Sequence, residues 1–116
     1  MSDIIRKRFS DPDEVQRYPG VTIESVRVGG LNVMRLTAEP GWRWSESVGP
    51  SLDRTTSPLE HTLWLVLEGR FAVQMEDGTG AEFGPGEVGR FGPGHDAWVV
   101  GDARVVGIDV QAVEAR

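Results

Sequence analysis

The chain has 116 residues, of which 39% are hydrophobic and 26% charged, a balance typical of a globular protein rather than a disordered one. The 18 acidic residues outnumber the 12 basic ones, and the net charge of -6 argues against nucleic-acid binding, because phosphate backbones are repelled. The absence of cysteine excludes disulfides, thiolate metal ligands and cysteine nucleophiles. A chain of this length predicts one domain over residues 1–116.

Neither a secretion signal nor a membrane span is predicted. Residues 1–10 mix charged and apolar side chains, unlike the continuous apolar segment of a signal peptide. The longest purely apolar run covers residues 63–67, whereas a transmembrane helix needs about 20 residues. We therefore expect a cytoplasmic protein that does not bind membranes.

A single short helical turn is predicted near the N-terminus, over residues 10–17. Ser10 is placed to cap its first turn, and Pro12 and Glu14 suit the first helical positions.

Short β-strands separated by turns are predicted along the rest of the chain. Fifteen glycines and seven prolines interrupt segments rich in valine, leucine, isoleucine and aromatic residues. Asp77 and Gly78 follow an alternating segment and predict a tight hairpin. The predicted strands are Val21–Val28, Leu31–Ala38 and residues 42–46, 61–67, 71–76, 81–83, 97–100 and 104–111.

The one long interruption is polar and has no periodicity, so residues 50–58 are predicted to form a loop between two strands. This loop is either a lid over a cavity or a surface connection without a role, and the sequence leaves both interpretations open. Many short strands with almost no helix predict an all-β sandwich or jelly-roll barrel.

Three segments, in this order and spacing, resemble the motifs of the cupin family. They are PGWRWSE at residues 40–46, LVLEGRF at residues 65–71, and residues 84–98, which contain two GPG turns. The resemblance covers roughly residues 21–110. It implies a double-stranded β-helix that closes over one interior pocket, with a barrel core at about residues 21–111.

The resemblance also implies where a cupin metal ion would bind, and at these positions the chain differs from the family. We aligned the first motif on Gly41 and Gly69, and the second on Gly86. Neutral hydroxyls bind transition metals weakly compared with imidazole or carboxylate, so no conventional metal centre or other cofactor is expected. The four family ligand positions are occupied by Ser47, Gly49, Thr62 and Ala97.

The only two histidines, His61 and His95, leave an alternative open. A shift of one residue in the alignment would combine them with Glu60 into an atypical site for a divalent metal. Strand alternation places His61 opposite to Thr62 unless a β-bulge changes the register, and the sequence does not decide which face His61 takes. His95 follows a turn, where it either contacts a ligand at the barrel rim or stabilises the turn.

Trp42 and Trp44 lie two residues apart on a predicted strand and therefore share a face, with Arg43 on the other. Two neighbouring tryptophans suit either an aromatic wall of a binding pocket or ordinary core packing. The candidate pocket residues are Trp44, Glu46, Ser47, His61, Thr62, His95, Ala97 and Trp98.

The first of three candidate functions is binding of a small organic ligand in the interior pocket without a conventional metal centre. The resemblance implies two alternatives, a metal-dependent isomerase or oxygenase with an atypical histidine and carboxylate site, and a homodimeric interaction or regulatory module. A homodimer is expected because small cupins often pair through edge strands. The sequence contains no nucleophile elbow, P-loop or dinucleotide-binding motif.

Overall fold

The computed structural model describes residues 3–112, which form nine strands and two helices of four residues each. This confirms the predicted all-β class. The helices are α1 (Trp44–Ser47) and α2 (Gly49–Leu52), and none in the described part of the chain is long and apolar enough to cross a membrane. The strands are β1 (Glu14–Tyr18), β2 (Val21–Val28), β3 (Leu31–Ala38), β4 (His61–Glu68), β5 (Phe71–Met75), β6 (Gly80–Phe83), β7 (Val88–Phe91), β8 (His95–Val99) and β9 (Val105–Ala112).

The strands form two antiparallel sheets that enclose the core. The larger sheet has the order β1-β2-β3-β9-β4-β7, and the smaller has the order β6-β5-β8. Trp64 from the larger sheet packs on Phe71 of the smaller one, with ring centroids 4.7 Å apart. Val66 and Val105, both fully buried, extend the same apolar layer. Burial of these inner faces holds the two sheets together.

Several predicted elements are confirmed closely. Strands β2 and β3 have the predicted bounds, and the hairpin from β5 to β6 turns at Asp77 and Gly78 as expected. Gly78 has a φ of 92°, a conformation that favours glycine, and its N–H donates to Met75 O.

The predicted helical turn over residues 10–17 is wrong, because Glu14–Tyr18 forms strand β1 at the edge of the larger sheet. Pairing with β2 gives this polar segment a ladder of backbone hydrogen bonds, which a single isolated helical turn cannot match. The Asp13 carboxylate accepts from the backbone N–H of Arg27 and from Lys7 Nζ, which ties the start of β1 to the end of β2. The barrel therefore begins before Val21.

The predicted strand over residues 42–46 is also wrong, since α1 begins at Trp44. The Asp96 carboxylate explains the difference: it accepts hydrogen bonds from the backbone N–H and hydroxyl of Ser45 and from Arg43. An acceptor at the start of a helix satisfies N–H groups that would otherwise have no partner. The first three residues of the predicted loop over residues 50–58 belong to helix α2. Strand β7 was not predicted.

A β-bulge in β4 decides the direction of His61. In the pairing of β4 with β7, His61 lies opposite Phe91 and Trp64 lies opposite Gly89, so three steps on one strand match two on the other. The extra residue allows His61 and Trp64 to line the same interior, while Thr62 is exposed.

Trp64 depends on a glycine in the neighbouring strand. It is 2% exposed, and its indole ring lies directly over the backbone of Gly107 on β9. A Cβ atom at position 107 would overlap the ring, so the small residue is required for this packing.

We expect Gly107→Ala to lower the free energy of unfolding by about 1–3 kcal/mol, because the added methyl group displaces Trp64. Gly30→Ala is the matched control, since a Cβ there meets nothing within 4 Å and neither glycine has a positive φ. Both substitutions reduce the conformational freedom of the unfolded chain equally. The difference between their free energies of unfolding, measured by urea denaturation, therefore reports the overlap of the added methyl group with Trp64. Equal stability of the two variants would contradict this packing.

Candidate functional site

A cavity of about 260 Å³ lies between the two sheets. Most of its wall is aromatic or aliphatic, and the aromatic part comes from both sheets and from the segment before α1. Trp42 stacks on Phe71 with ring centroids 6.1 Å apart, and Phe71 in turn contacts Trp64. The aromatic lining residues are Tyr18, Trp42, Trp44, Trp64, Phe71 and Phe91.

The cavity opens between strand β1 and the segment that follows α1. Four of its lining residues are exposed, and they mark this opening: Gln16, Leu52, Pro58 and Leu59. The segment is tied to the start of strand β8, where Ser57 N donates to His95 O and Gly94 N donates to Ser57 O, both at 2.7 Å. Thr56 Oγ1 also donates to Glu76 Oε1 at 2.9 Å. Leu52, Ser57 and Pro58 of the predicted loop therefore border the cavity, as the lid interpretation requires.

Two histidines lie side by side in the wall, which also has Gln16 and Ser57 as polar residues. The imidazole rings of His61 and His95 have centroids 5.1 Å apart, and each contacts the ring of Phe91 at 4.7 Å. The pair is thus held in a fixed geometry on a mainly apolar surface.

His61 is hydrogen-bonded to a buried carboxylate. Its Nδ1 atom lies 2.7 Å from Asp109 Oδ2, and Asp109 is only 4% exposed. Gln111 Nε2 donates to the same oxygen at 3.3 Å, and Asp109 Oδ1 is buried without a partner among the described residues. An imidazole bonded in this way is oriented and made a stronger acceptor at its other nitrogen.

His95 is buried and bonded to the backbone. Its Nδ1 atom lies 2.7 Å from Gly92 O. Burial lowers the pKa of His95 below its ordinary value of 6.5, and the neighbouring His61 acts in the same direction, whereas the bond to Gly92 opposes the change. His95 is therefore neutral at pH 7.

Four of the eight candidate pocket residues line this cavity: Trp44, His61, His95 and Ala97. Trp42 lines it as well, while Arg43 points away and lies over Trp98 at 4.2 Å. As predicted, Trp42 and Trp44 share one face and Arg43 takes the other, although a helix begins at Trp44.

The other four candidates do not line the cavity. Because α1 replaces the predicted strand, Glu46 is exposed and Ser47 donates its hydroxyl to Pro19 O. Thr62 is turned outward beside the bulge, and Trp98 lies on the opposite face of β8 from Ala97. None of these four side chains lines the wall that holds the histidines.

The described residues do not assemble a metal site. Residues 3–112 contain no group of three or more histidine, cysteine, aspartate or glutamate side chains that could hold an ion. Glu60, the third member of the atypical site considered from the sequence, binds Arg90 at 2.8 Å on the surface. The family ligand positions Ser47, Gly49, Thr62 and Ala97 supply no imidazole or carboxylate, so the donor set does not fit a cupin metal centre.

Sequence reasoning missed Asp109 and the wall formed by β1. Asp109 did carry a signal, since it is the single acid inside the apolar strand β9. A carboxylate is rarely buried in such a strand unless it has a partner or a functional role. Gln16 and Tyr18 carried none, because their segment is polar and suggested a helix.

No family model and no curated protein matches the sequence. Solved structures do match in fold. The chain resembles AerE from Microcystis aeruginosa (TM-score 0.65, 12% identity, covering 84% of this chain and 43% of that one). It also resembles an oxalate decarboxylase from Lactobacillus farciminis, solved as a formate complex (TM-score 0.71, 15% identity, covering 100% of this chain and 35% of that one). A third match is the cupin domain of Cnp3 from Schizosaccharomyces pombe (TM-score 0.63, 13% identity, covering 87% of this chain and 69% of that one).

The chain spans less than half the length of the first two of these structures. At such low identities the likeness concerns the fold alone. The chain has the cupin fold, and the predicted double-stranded β-helix is confirmed.

The lowered pKa of His95 predicts how stability depends on pH. As pH falls below 6.5, the unfolded chain binds a proton at residue 95 before the folded one does, so stability is lost until the folded pKa is passed. We expect the wild type to lose stability relative to His95→Asn as the pH falls below about 7. Asparagine cannot titrate, yet it keeps a donor for Gly92 O.

Urea denaturation at a series of pH values measures this difference. The His95→Asn variant lacks only the titrating group at position 95 and so serves as the reference. Parallel curves for the two proteins would show that burial does not lower the pKa of His95.

Proposed function

We propose that this cupin-fold chain binds a small, mainly apolar organic molecule that carries one polar group. The observation that carries the proposal is the cavity of about 260 Å³, whose wall is mostly aromatic and aliphatic and includes two imidazoles. An apolar protein cavity of about 150 Å³ holds one benzene ring. The cavity in this chain is larger, so it has room for a substituted ring.

The arrangement of the wall supports a flat ligand. Trp42, Trp64 and Phe71 form one connected aromatic surface, on which a ring gains both apolar burial and favourable aromatic contacts. His61 and His95 supply the few polar atoms that orient a ligand in a largely apolar pocket. The opening beside Leu52 and Leu59 gives such a molecule a route into the cavity.

Anisole is a suitable probe, because it is a neutral substituted ring of the right size. We expect it to stabilise the protein by about 1.4 kcal/mol at ten times its dissociation constant, as measured by thermal unfolding, with direct binding followed by ligand-observed NMR. Ala97→Leu fills part of the cavity and should weaken anisole binding at least tenfold.

Ala103→Leu is the matched control, since it adds the same atoms at an exposed position between β8 and β9. It should leave anisole binding unchanged. Thermal unfolding of the variants without ligand shows that each is folded. If anisole does not bind to the wild type, or binds equally to Ala97→Leu, the cavity is not a ligand site and the proposal fails.

We further propose that the chain forms a homodimer through edge strand β7 and its neighbour β4. Leu63 is 41% exposed and Val88 is 58% exposed. Val88 pairs with Leu65, which shares a face with Leu63, so these side chains form one apolar surface on the outside of the larger sheet. Exposed apolar side chains beside a sheet edge favour association with a second copy.

Light scattering coupled to size-exclusion chromatography tests this pairing. We expect a dimer for the wild type and a monomer for the double variant Leu63→Glu, Val88→Glu, because charges are costly to bury in an interface. Leu52→Glu, at an exposed leucine on α2, is the control that should remain dimeric. A monomeric wild type would exclude the homodimer.

A further inference from the structure

We propose that the polar group of the ligand is a hydrogen-bond donor, a hydroxyl of the phenol or alcohol class, and that it donates to Nε2 of His61 with His95 as a second acceptor. This inference rests on the proposed function and deepens it. It follows from the bonds that each imidazole already makes at Nδ1.

The bond to Asp109 fixes which nitrogen of His61 carries the proton. A carboxylate only accepts hydrogen bonds, so Nδ1 of His61 must donate to Asp109 Oδ2 at 2.7 Å. In the neutral ring the proton is then on Nδ1, and Nε2 has a free lone pair. Asp109 therefore acts as a positioning residue that makes His61 an acceptor toward the cavity.

The bond to Gly92 fixes His95 in the same way. A backbone carbonyl also only accepts, so Nδ1 of His95 donates to Gly92 O at 2.7 Å. Because burial lowers the pKa of His95, the ring stays neutral at pH 7 and its Nε2 is likewise an acceptor.

Both Nε2 atoms remain available to a ligand. Neither atom has a hydrogen-bond partner within residues 3–112. Neither is fully buried, because the fully buried polar atoms that lack a partner do not include them. Both residues line the cavity. When both rings are neutral, the imidazole part of the wall offers two acceptors and no N–H donor, and a ligand hydroxyl is the complementary group.

The charge of the site disfavours anionic ligands. Asp109 is a buried carboxylate directly behind His61, and the chain has a net charge of -6. A ligand carboxylate would be repelled by Asp109 and would bring no proton to either Nε2 atom.

Three probes with one ring each separate these possibilities. Phenol carries a hydroxyl donor, anisole carries an ether oxygen that only accepts, and benzoate carries a negative charge. At about pH 8, where an ordinary histidine is neutral, we expect phenol to bind about tenfold more tightly than anisole. Benzoate should bind more weakly than either. Dissociation constants come from calorimetric or NMR titration.

Histidine variants test which atoms cause the preference. His61→Leu should reduce the ratio of phenol to anisole affinity, and the double variant His61→Leu, His95→Leu should bring it to about one. Leu59→Ala is the matched control: it removes apolar wall at the opening, so it should weaken both probes equally and leave the ratio unchanged.

The positioning role of Asp109 has its own test. Asp109→Leu frees Nδ1 of His61, so the proton can move to Nε2 and the ratio should fall, even if anisole still binds as in the wild type. Gln111→Leu removes a neighbour of the same carboxylate without releasing His61, and it should keep the ratio. A loss of fold would instead weaken both probes together.

The outcomes distinguish this inference from the function it rests on. Anisole that binds as tightly as phenol, or benzoate that binds more tightly, would overturn the donor assignment and leave the apolar ligand site in place. Failure of all three probes to bind would overturn both. A ratio that survives the double histidine variant would show that other atoms select the ligand.

Discussion

The site depends on one hydrogen bond, between the imidazole of His61 on β4 and the buried carboxylate of Asp109 on β9. Burial of a carboxylate is costly unless a partner compensates it, and here the partner is a ring that also faces the cavity. The bond therefore links the interior of the sheet to the surface that a ligand would meet. It fixes the orientation of His61 and the tautomer of the neutral ring. It thereby also determines that the neutral ring presents an acceptor, not a donor, to the cavity.

Backbone geometry makes this bond available. Without the bulge in β4, His61 and Trp64 would lie on opposite faces of the sheet, because residues three apart alternate. Gly107 then lets Trp64 lie against β9 without displacing that strand. The same few residues thus shape the cavity and place the Asp109 carboxylate behind the imidazole of His61. Stability and ligand selection are coupled through this part of the larger sheet.

The fold was largely predictable from sequence, because glycine spacing and apolar alternation are local signals that recur from strand to strand. The bounds of β2 and β3 and the turn at Gly78 follow from such signals. The segment around Trp44 was not predictable, since its helix depends on Asp96, far away in sequence. Strand β1 was missed for a similar reason: its polar residues become a strand only because β2 offers an edge.

The site was predictable in part. Of the candidate residues, Trp44, His61, His95 and Ala97 line the cavity; the last three lie on strands that face it, whereas Trp44 lies on α1. Thr62 was selected through the family alignment, which carries no information about the bulge that turns it outward. The pairing of His61 with Asp109 was beyond reach, since it joins residues 48 positions apart. Only a fold with known register brings the two together.

The most direct measurement is a long-range ¹H–¹⁵N correlation spectrum of the two histidine rings in the ligand-free protein near pH 8. Nitrogen chemical shifts distinguish a protonated ring nitrogen from one with a free lone pair. We predict that both rings carry their proton on Nδ1 and have an unprotonated Nε2. A protonated Nε2 on His61 would contradict the account, because the ring would then present a donor to the cavity and Asp109 would not hold it as described.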